Sequence, residues 1–137
     1  MANSIRIALI DDDVAVLDSL RLYFARHELK ASCFNTAEAF LAAVDRSAQF
    51  DCVVSDVRMP GMSGLDLVGH LNARSFARPI ILITGHGDVD MAVAAIKIGA
   101  FDFIEKPFDE NRLLASIRNA LEHGREQRSN TAELEQL

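Results

Sequence analysis

The stretch Pro79-Ile80-Ile81-Leu82-Ile83-Thr84-Gly85 decides the fold of this chain. Its four consecutive apolar residues, bounded by a proline and a glycine, predict a short strand that is buried on both faces. Such strands are typical of a parallel sheet with helices on both sides, whereas a half-exposed strand would alternate apolar and polar residues. The run therefore indicates an α/β protein.

Outward from this run, short apolar segments alternate with longer amphipathic ones. Helix caps are expected at Asp13, Asn35, Asp88 and Asp109, and a helix stop at Gly99. The predicted strands cover residues 5–10, 30–34, 52–55, 80–83 and 101–105. Right-handed crossovers between them predict an α/β fold with an open, doubly wound sheet of five parallel strands and five helices.

The composition excludes several classes of protein. Twenty acidic against fourteen basic residues give a net charge of -6, which argues against direct nucleic-acid binding and against an anionic membrane surface. No apolar run approaches the roughly 20 residues of a membrane helix. Cys33 and Cys52 lie in strand-like segments without a second ligand nearby, so we expect buried free thiols and a cytoplasmic location.

Charged and hydroxyl side chains follow four of the five predicted strands. Asp11-Asp12-Asp13 follows the first, Asp56 the third, Thr84 the fourth and Lys106-Pro107 the fifth. Parallel strands bring these ends to one edge of the sheet, where ligands of such folds bind. Each residue alone is more often a cap, a structural threonine or a surface lysine, but their convergence at one edge favours a site.

The chemistry of that edge follows from its charges. Asp11, Asp12 and Asp56 would repel one another unless protons or a cation neutralise them, and an all-oxygen ligand set suits Mg²⁺. A carboxylate beside a metal ion and Lys106 can attack a phosphoryl group and form an acyl phosphate. Thr84 could then donate a hydrogen bond to a phosphate oxygen.

Four motifs in this order resemble the receiver domains of two-component response regulators, the CheY-like family, and within it the FixJ/DctD-type transcriptional regulators. The similarity extends from about Ile5 to Leu121. The motifs are Leu9-Ile10-Asp11-Asp12-Asp13, Val54-Ser55-Asp56-Val57-Arg58-Met59-Pro60-Gly61-Met62-Ser63-Gly64, Ile83-Thr84-Gly85-His86-Gly87-Asp88 and Asp102-Phe103-Ile104-Glu105-Lys106-Pro107-Phe108.

The resemblance implies the strand order 2-1-3-4-5 and a role for each site residue. Asp56 is then the phosphorylated residue, and the Mg²⁺ ligands are Asp11, Asp12, Asp56 and the backbone carbonyl of Arg58. Two further roles follow the same motifs: Thr84 and Lys106 bind the phosphoryl group, and Phe103 turns inward when Thr84 moves. The remaining positions are Arg58 and His86, which fall where members of the family vary and where the phosphoryl lifetime is tuned, with their effect on the rate left open, and Pro107, a candidate for a cis peptide bond.

The resemblance also implies partners and an output. A sensor histidine kinase donates the phosphoryl group, and phosphorylation alters the face around the fourth helix and the fifth strand, through which two copies can pair. Residues 1–123 form the receiver domain, and residues 124–137 a C-terminal tail or a linker to a missing effector domain that controls transcription. Self-catalysed phosphorylation and dephosphorylation do not make such a domain an enzyme in the usual sense.

Other interpretations stay open at this point. The chain could be a stand-alone receiver that relays phosphate. A haloacid-dehalogenase-like phosphohydrolase would place its nucleophile in Asp11-Asp12-Asp13-Val14-Ala15, although it has no use for Asp56. A flavin-binding module of the same architecture needs a phosphate-binding loop after the first strand, where three acids would repel phosphate.

Overall fold

A computed structural model describes residues 4–85 and 88–135, and from residue 125 onward it describes the backbone alone. Strands and helices alternate strictly along it, as predicted. The elements are β1 (Ile5–Ile10), α1 (Val14–Ala25), β2 (Leu29–Phe34), α2 (Ala37–Asp45), β3 (Cys52–Asp56), α3 (Gly64–Ala73), β4 (Ile80–Thr84), α4 (Val89–Lys97), β5 (Asp102–Glu105) and α5 (Glu110–Glu135).

The five strands form one parallel sheet in the order β2-β1-β3-β4-β5, which confirms both the predicted fold class and the strand order. Every residue of β3 and β4 is buried. These central strands carry the most apolar sequences because helices cover them on both sides.

Alternation along the strands divides the core between the two faces of the sheet. Ile7 and Leu9 of β1 pack with α1 and α5, and Ala8 and Ile10 pack with α2, α3 and α4. All five strands thus end at the same edge between two helical layers. Among the described residues, no helix is both long enough and apolar enough to span a membrane.

Most of the expected helix boundaries are confirmed. Asp13 caps α1 by accepting the N–H of Ala15 at 3.0 Å, and Gly99, with φ of +123°, follows the end of α4. The expectation that Asn35 caps α2 is wrong. Thr36 does so instead, because its extended backbone lets its hydroxyl accept the N–H of Ala39 at 3.0 Å.

The cysteines were predicted to be buried, and this is right for one of the two. Cys52 is buried in β3, but Cys33 is exposed because β2 lies at the edge of the sheet, where helices cover a strand less completely. The last helix, α5, passes Gly124 without a break and its backbone stays helical through Glu135. The division between residues 123 and 124 remains a prediction.

Candidate functional site

The central strand β3 carries Asp56 as its last residue, and its two neighbours in the sheet complete the surroundings of this carboxylate. Asp11 and Asp12 follow β1 on one side, and Thr84 ends β4 on the other. Lys106 follows β5, the next strand beyond β4. The predicted residues therefore meet at the carboxyl edge because parallel strands all end there.

Three carboxylates converge at this edge. Asp11, Asp12 and Asp56 each offer an oxygen, and these oxygens lie within 4.8 Å of one another. Asp11 and Asp56 are buried, with 4% and 8% of their surface exposed, whereas Asp12 is open to solvent. The backbone N–H of Asp13 donates to Oδ1 of Asp11 at 2.9 Å and orients it.

Burial and mutual repulsion make ionisation of these acids unfavourable. Burial is the main cause that raises the pKa of Asp11 from 3.8 to about 6, and the neighbouring carboxylates of Asp56 and Asp12 raise it further against the hydrogen bond from Asp13. Burial likewise raises the pKa of Asp56. A divalent cation would offset this repulsion without protonating the acids.

Lys106 provides positive charge beside Asp56. Its Nζ lies 3.5 Å from Oδ2 of Asp56, and this charge acts to lower the pKa of the carboxyl group against the effect of burial. The side chain of Lys106 is 38% exposed, so an incoming group can reach the ammonium from solvent. The Lys106–Pro107 peptide bond is cis.

Two buried side-chain atoms in the described part of the chain have no hydrogen-bond partner: Oδ2 of Asp11 and Oγ1 of Thr84. An unsatisfied buried polar atom costs about 1–3 kcal/mol, so two of them at one edge call for an explanation. A cation would satisfy Asp11, and an oxygen acceptor would satisfy the hydroxyl of Thr84. The carboxylate set therefore fits Mg²⁺, which prefers oxygen ligands and keeps several waters.

Two other predicted residues lie beside the cluster. Phe103 of β5 is partly buried and packs against the core on the α2, α3 and α4 side, with β4 between its strand and the strand that carries Asp56. The backbone N–H of Arg58 acts to lower the pKa of Asp56 against the effect of burial, and the exposed side chain of Arg58 forms an ion pair with Asp88. His86 lies outside the described residues.

The ion pair between Arg58 and Asp88 is the feature that sequence reasoning missed. Asp88 was expected to cap α4, and it does stand at the N-cap position, but its side chain makes no hydrogen bond to the helix. An aspartate at a helix start usually caps it. Since 30 residues separate the two partners, no local pattern in the sequence signals the pair.

This fold and edge define a class of protein: a doubly wound domain with an acidic, Mg²⁺-compatible cluster and a lysine beside one buried aspartate. The family model of the response regulator receiver domain matches residues 7–118. The chain belongs to that family, and the predicted membership is confirmed. The match favours the receiver over a phosphohydrolase or a flavin-binding module.

Individual relatives agree with this assignment. The transcriptional regulatory protein FixJ of Bradyrhizobium diazoefficiens is 47% identical over 115 residues, which are 84% of this chain and 56% of FixJ. The response regulator protein TodT of Pseudomonas putida is 48% identical over 131 residues, 96% of this chain and 57% of TodT. The chain thus spans little more than half the length of these curated relatives.

The structural comparison gives the same result. The crystal structure of full-length FixJ from B. japonicum matches with a TM-score of 0.85 and 44% identity, over 90% of this chain and 60% of that one. At this identity both the fold and the family are shared. The protein is a receiver domain of the two-component type, similar to regulators that control transcription.

Proposed function

We propose that this domain accepts a phosphoryl group on Asp56 from a sensor histidine kinase, in a reaction that depends on Mg²⁺. The observation that carries the proposal is the position of Asp56: a buried carboxylate with Lys106 at 3.5 Å on one side and two acids within 4.8 Å on the other. A nucleophile, a cation site and a positive group are thereby assembled for phosphoryl transfer.

The proposed roles are supported by this geometry together with the family resemblance. An oxygen of Asp56 attacks phosphorus, a new O–P bond forms, and the N–P bond to the histidine of the kinase breaks, so that the imidazole leaves. Asp11, Asp12, Asp56 and the backbone carbonyl of Arg58 would hold Mg²⁺, which supplies charge neutralisation for the phosphoryl oxygens when bound. Lys106 binds one phosphoryl oxygen and so orients the phosphoryl group for in-line attack by Asp56.

The switch is proposed to be a population shift. The hydroxyl of Thr84 has no partner among the described residues, so a phosphoryl oxygen on Asp56 offers it the hydrogen bond that it lacks. When Thr84 moves toward it, Phe103 turns into the space that opens. The face formed by α4 and β5 then changes, and two copies pair through it.

Exposed apolar residues on and just after α4 support the pairing. Val93, Ile96 and Ile98 are 40%, 37% and 43% exposed. Light scattering before and after phosphorylation tests this step. A doubling of the mass that Ile96→Asp abolishes is expected, and an unchanged mass of the phosphorylated domain would contradict it.

The output is proposed to be control of transcription by a domain outside this chain, with residues 124–137 as the tail or linker toward it and no nucleic-acid contact by the receiver itself. The support is that the relatives are named as transcriptional or response regulators and are longer than this chain. A cytoplasmic location fits the two free cysteines. Self-catalysed phosphorylation and dephosphorylation are the only chemistry proposed.

Intact-protein mass spectrometry tests the central step. The domain is incubated with phosphoramidate with and without Mg²⁺, as the wild type, as Asp56→Asn and as Asp51→Asn, an acid outside the site. A gain of one phosphoryl group that requires Mg²⁺, persists in Asp51→Asn and is lost in Asp56→Asn is expected. A gain that survives Asp56→Asn would assign the acceptor elsewhere.

A further inference from the structure

One ion pair joins the two loops that flank Asp56. Arg58 lies two residues after Asp56 in the loop before α3, and Asp88 lies at the start of α4. Nη2 of Arg58 is 2.6 Å from Oδ1 of Asp88, and Nε is 3.1 Å from Oδ1 and 3.3 Å from Oδ2. The planar guanidinium therefore engages both carboxylate oxygens in a geometry that holds the loops together.

Asp88 stands at the N-cap position of α4 but pairs with Arg58 and does not cap the helix. The N-caps of α1, α2 and α3 have extended backbones and accept a backbone N–H of their own helix. Asp88 has φ of -105° and ψ of 14°, and its side chain makes no such bond. Its carboxylate thus has two competing sets of donors, the guanidinium of Arg58 and the first N–H groups of α4.

Arg58 has an alternative partner as well. It lies two residues after Asp56 in the same loop, so its side chain begins close to the proposed acceptor. A phosphoryl group on Asp56 would place a stronger anion near this guanidinium than the carboxylate alone. At the same time Thr84, four residues before Asp88, would draw the other loop toward Asp56.

We propose that Arg58 and Asp88 form a latch that holds the start of α4 in the unphosphorylated arrangement, and that Asp88 exchanges Arg58 for the N-terminal N–H groups of α4 when the latch opens. The inference rests on the proposed phosphorylation of Asp56. The latch would be an element with two arrangements, closed and open, and phosphorylation would shift the population of the α4 and β5 face between them.

A matched ion pair elsewhere in the domain provides the control. Nε of Arg74 lies 2.8 Å from Oδ1 of Asp45, and Nη2 lies 3.0 Å from Oδ2. This pair has the same forked chemistry, but it connects α2 and α3 and involves neither loop beside Asp56. Arg74→Ala therefore removes an equivalent pair without touching the latch.

The first arm of the test needs no phosphoryl donor. Hydrogen exchange by NMR is followed at the amides of Val89, Asp90 and Met91 in the wild type and three variants. In Arg58→Ala the freed Asp88 caps the helix and slows exchange by about fivefold, whereas Asp88→Ala, which has neither the ion pair nor a capping side chain, shows no such slowing. Arg74→Ala leaves exchange unchanged. Unaltered exchange in Arg58→Ala would overturn the latch.

The second arm measures the coupling to the switch. Beryllofluoride, a mimic of an acyl phosphate, is titrated in the presence of Mg²⁺ against the wild type, Asp88→Asn and Arg74→Ala. Asp88→Asn weakens the ion pair but can still cap α4, so it should bind about fivefold more tightly, as expected for an ion pair with one exposed partner. Equal or weaker binding would show that the pair does not oppose the switch.

The two arms separate the latch from the proposed function. If the wild type neither binds beryllofluoride nor gains a phosphoryl group, the proposed function fails, while the exchange rates of Arg58→Ala still decide whether Asp88 changes partner. If the wild type binds beryllofluoride and Asp88→Asn binds it with the same affinity, the proposed function stands and the latch is refuted.

Discussion

Replacing Asp11 by asparagine should stabilise the metal-free domain while it abolishes Mg²⁺ binding. Burial and the neighbouring acids raise the pKa of Asp11 from 3.8 to about 6. A carboxyl group with a higher pKa in the folded chain binds more protons when folded, so the free energy of unfolding falls as the pH rises from about 4 to about 6. At neutral pH the penalty is fully present.

The size of the effect follows from that pKa. The difference between 3.8 and about 6 corresponds to about 3 kcal/mol at about 1.36 kcal/mol per pH unit. Solvent reaches the cluster through the exposed Asp12 and screens part of this, so we expect Asp11→Asn to gain about 1.5 kcal/mol at pH 7.5. Its stability should also vary less between pH 4 and 7 than that of the wild type.

Urea unfolding at several pH values, with and without Mg²⁺, measures both effects. The wild type should gain about 1.4 kcal/mol when Mg²⁺ is at ten times its dissociation constant, and Asp11→Asn should gain nothing. Asp18→Asn, on the exposed face of α1, serves as the control and should follow the wild type. A metal-free Asp11→Asn protein less stable than the wild type at pH 7.5 would refute the electrostatic reasoning.

Three further substitutions test neighbouring parts of the site. Lys106→Met removes the positive charge 3.5 Å from Asp56, so the pKa of Asp56 should rise and phosphorylation by phosphoramidate should slow by about tenfold or more by mass spectrometry; an unchanged rate would contradict its role. Thr84→Val removes a buried unpartnered hydroxyl and should raise the free energy of unfolding by about 1 kcal/mol in urea, while the phosphorylation-dependent NMR shifts of α4 are lost; a loss of stability would contradict this. Gly64→Ala places a Cβ 2.7 Å from the backbone oxygen of Asp56 and should cost about 3 kcal/mol in the same assay, whereas Gly69→Ala in α3, with open space around it, should be neutral or stabilising.

The fold could be predicted because its determinants are local. Apolar runs such as Ile80 to Ile83 mark buried parallel strands, and the longer amphipathic segments between them mark crossover helices. The convergence of Asp11, Asp56, Thr84 and Lys106 then follows from topology, since parallel strands share one carboxyl edge. The strand order needed the family resemblance, because apolar patterns do not say which strands are neighbours.

The errors arose where the environment, and not the local pattern, decides. Cys33 lies in an apolar-looking segment, but its strand is at the edge of the sheet and leaves it exposed. The strand predicted over residues 30–34 begins at Leu29, directly after Glu28, which adopts a left-handed φ of +63°. The partner of Asp88 lies 30 residues away and could not be read from its neighbours.

The carboxyl edge is where this domain departs from the rules that stabilise the rest of it. Asp11 is a buried acid with a raised pKa, Thr84 carries a buried hydroxyl without a partner among the described residues, and Asp88 leaves the start of α4 uncapped. Such departures cluster at functional sites because stability is given up there for response. A cation, a phosphoryl oxygen and a freed carboxylate would each correct one of them. The free energy regained on correction would drive the switch, so a substitution that corrects the departure at Asp11 or at Thr84 in advance should stabilise the resting domain and weaken its response, whereas a substitution that opens the latch should strengthen the response.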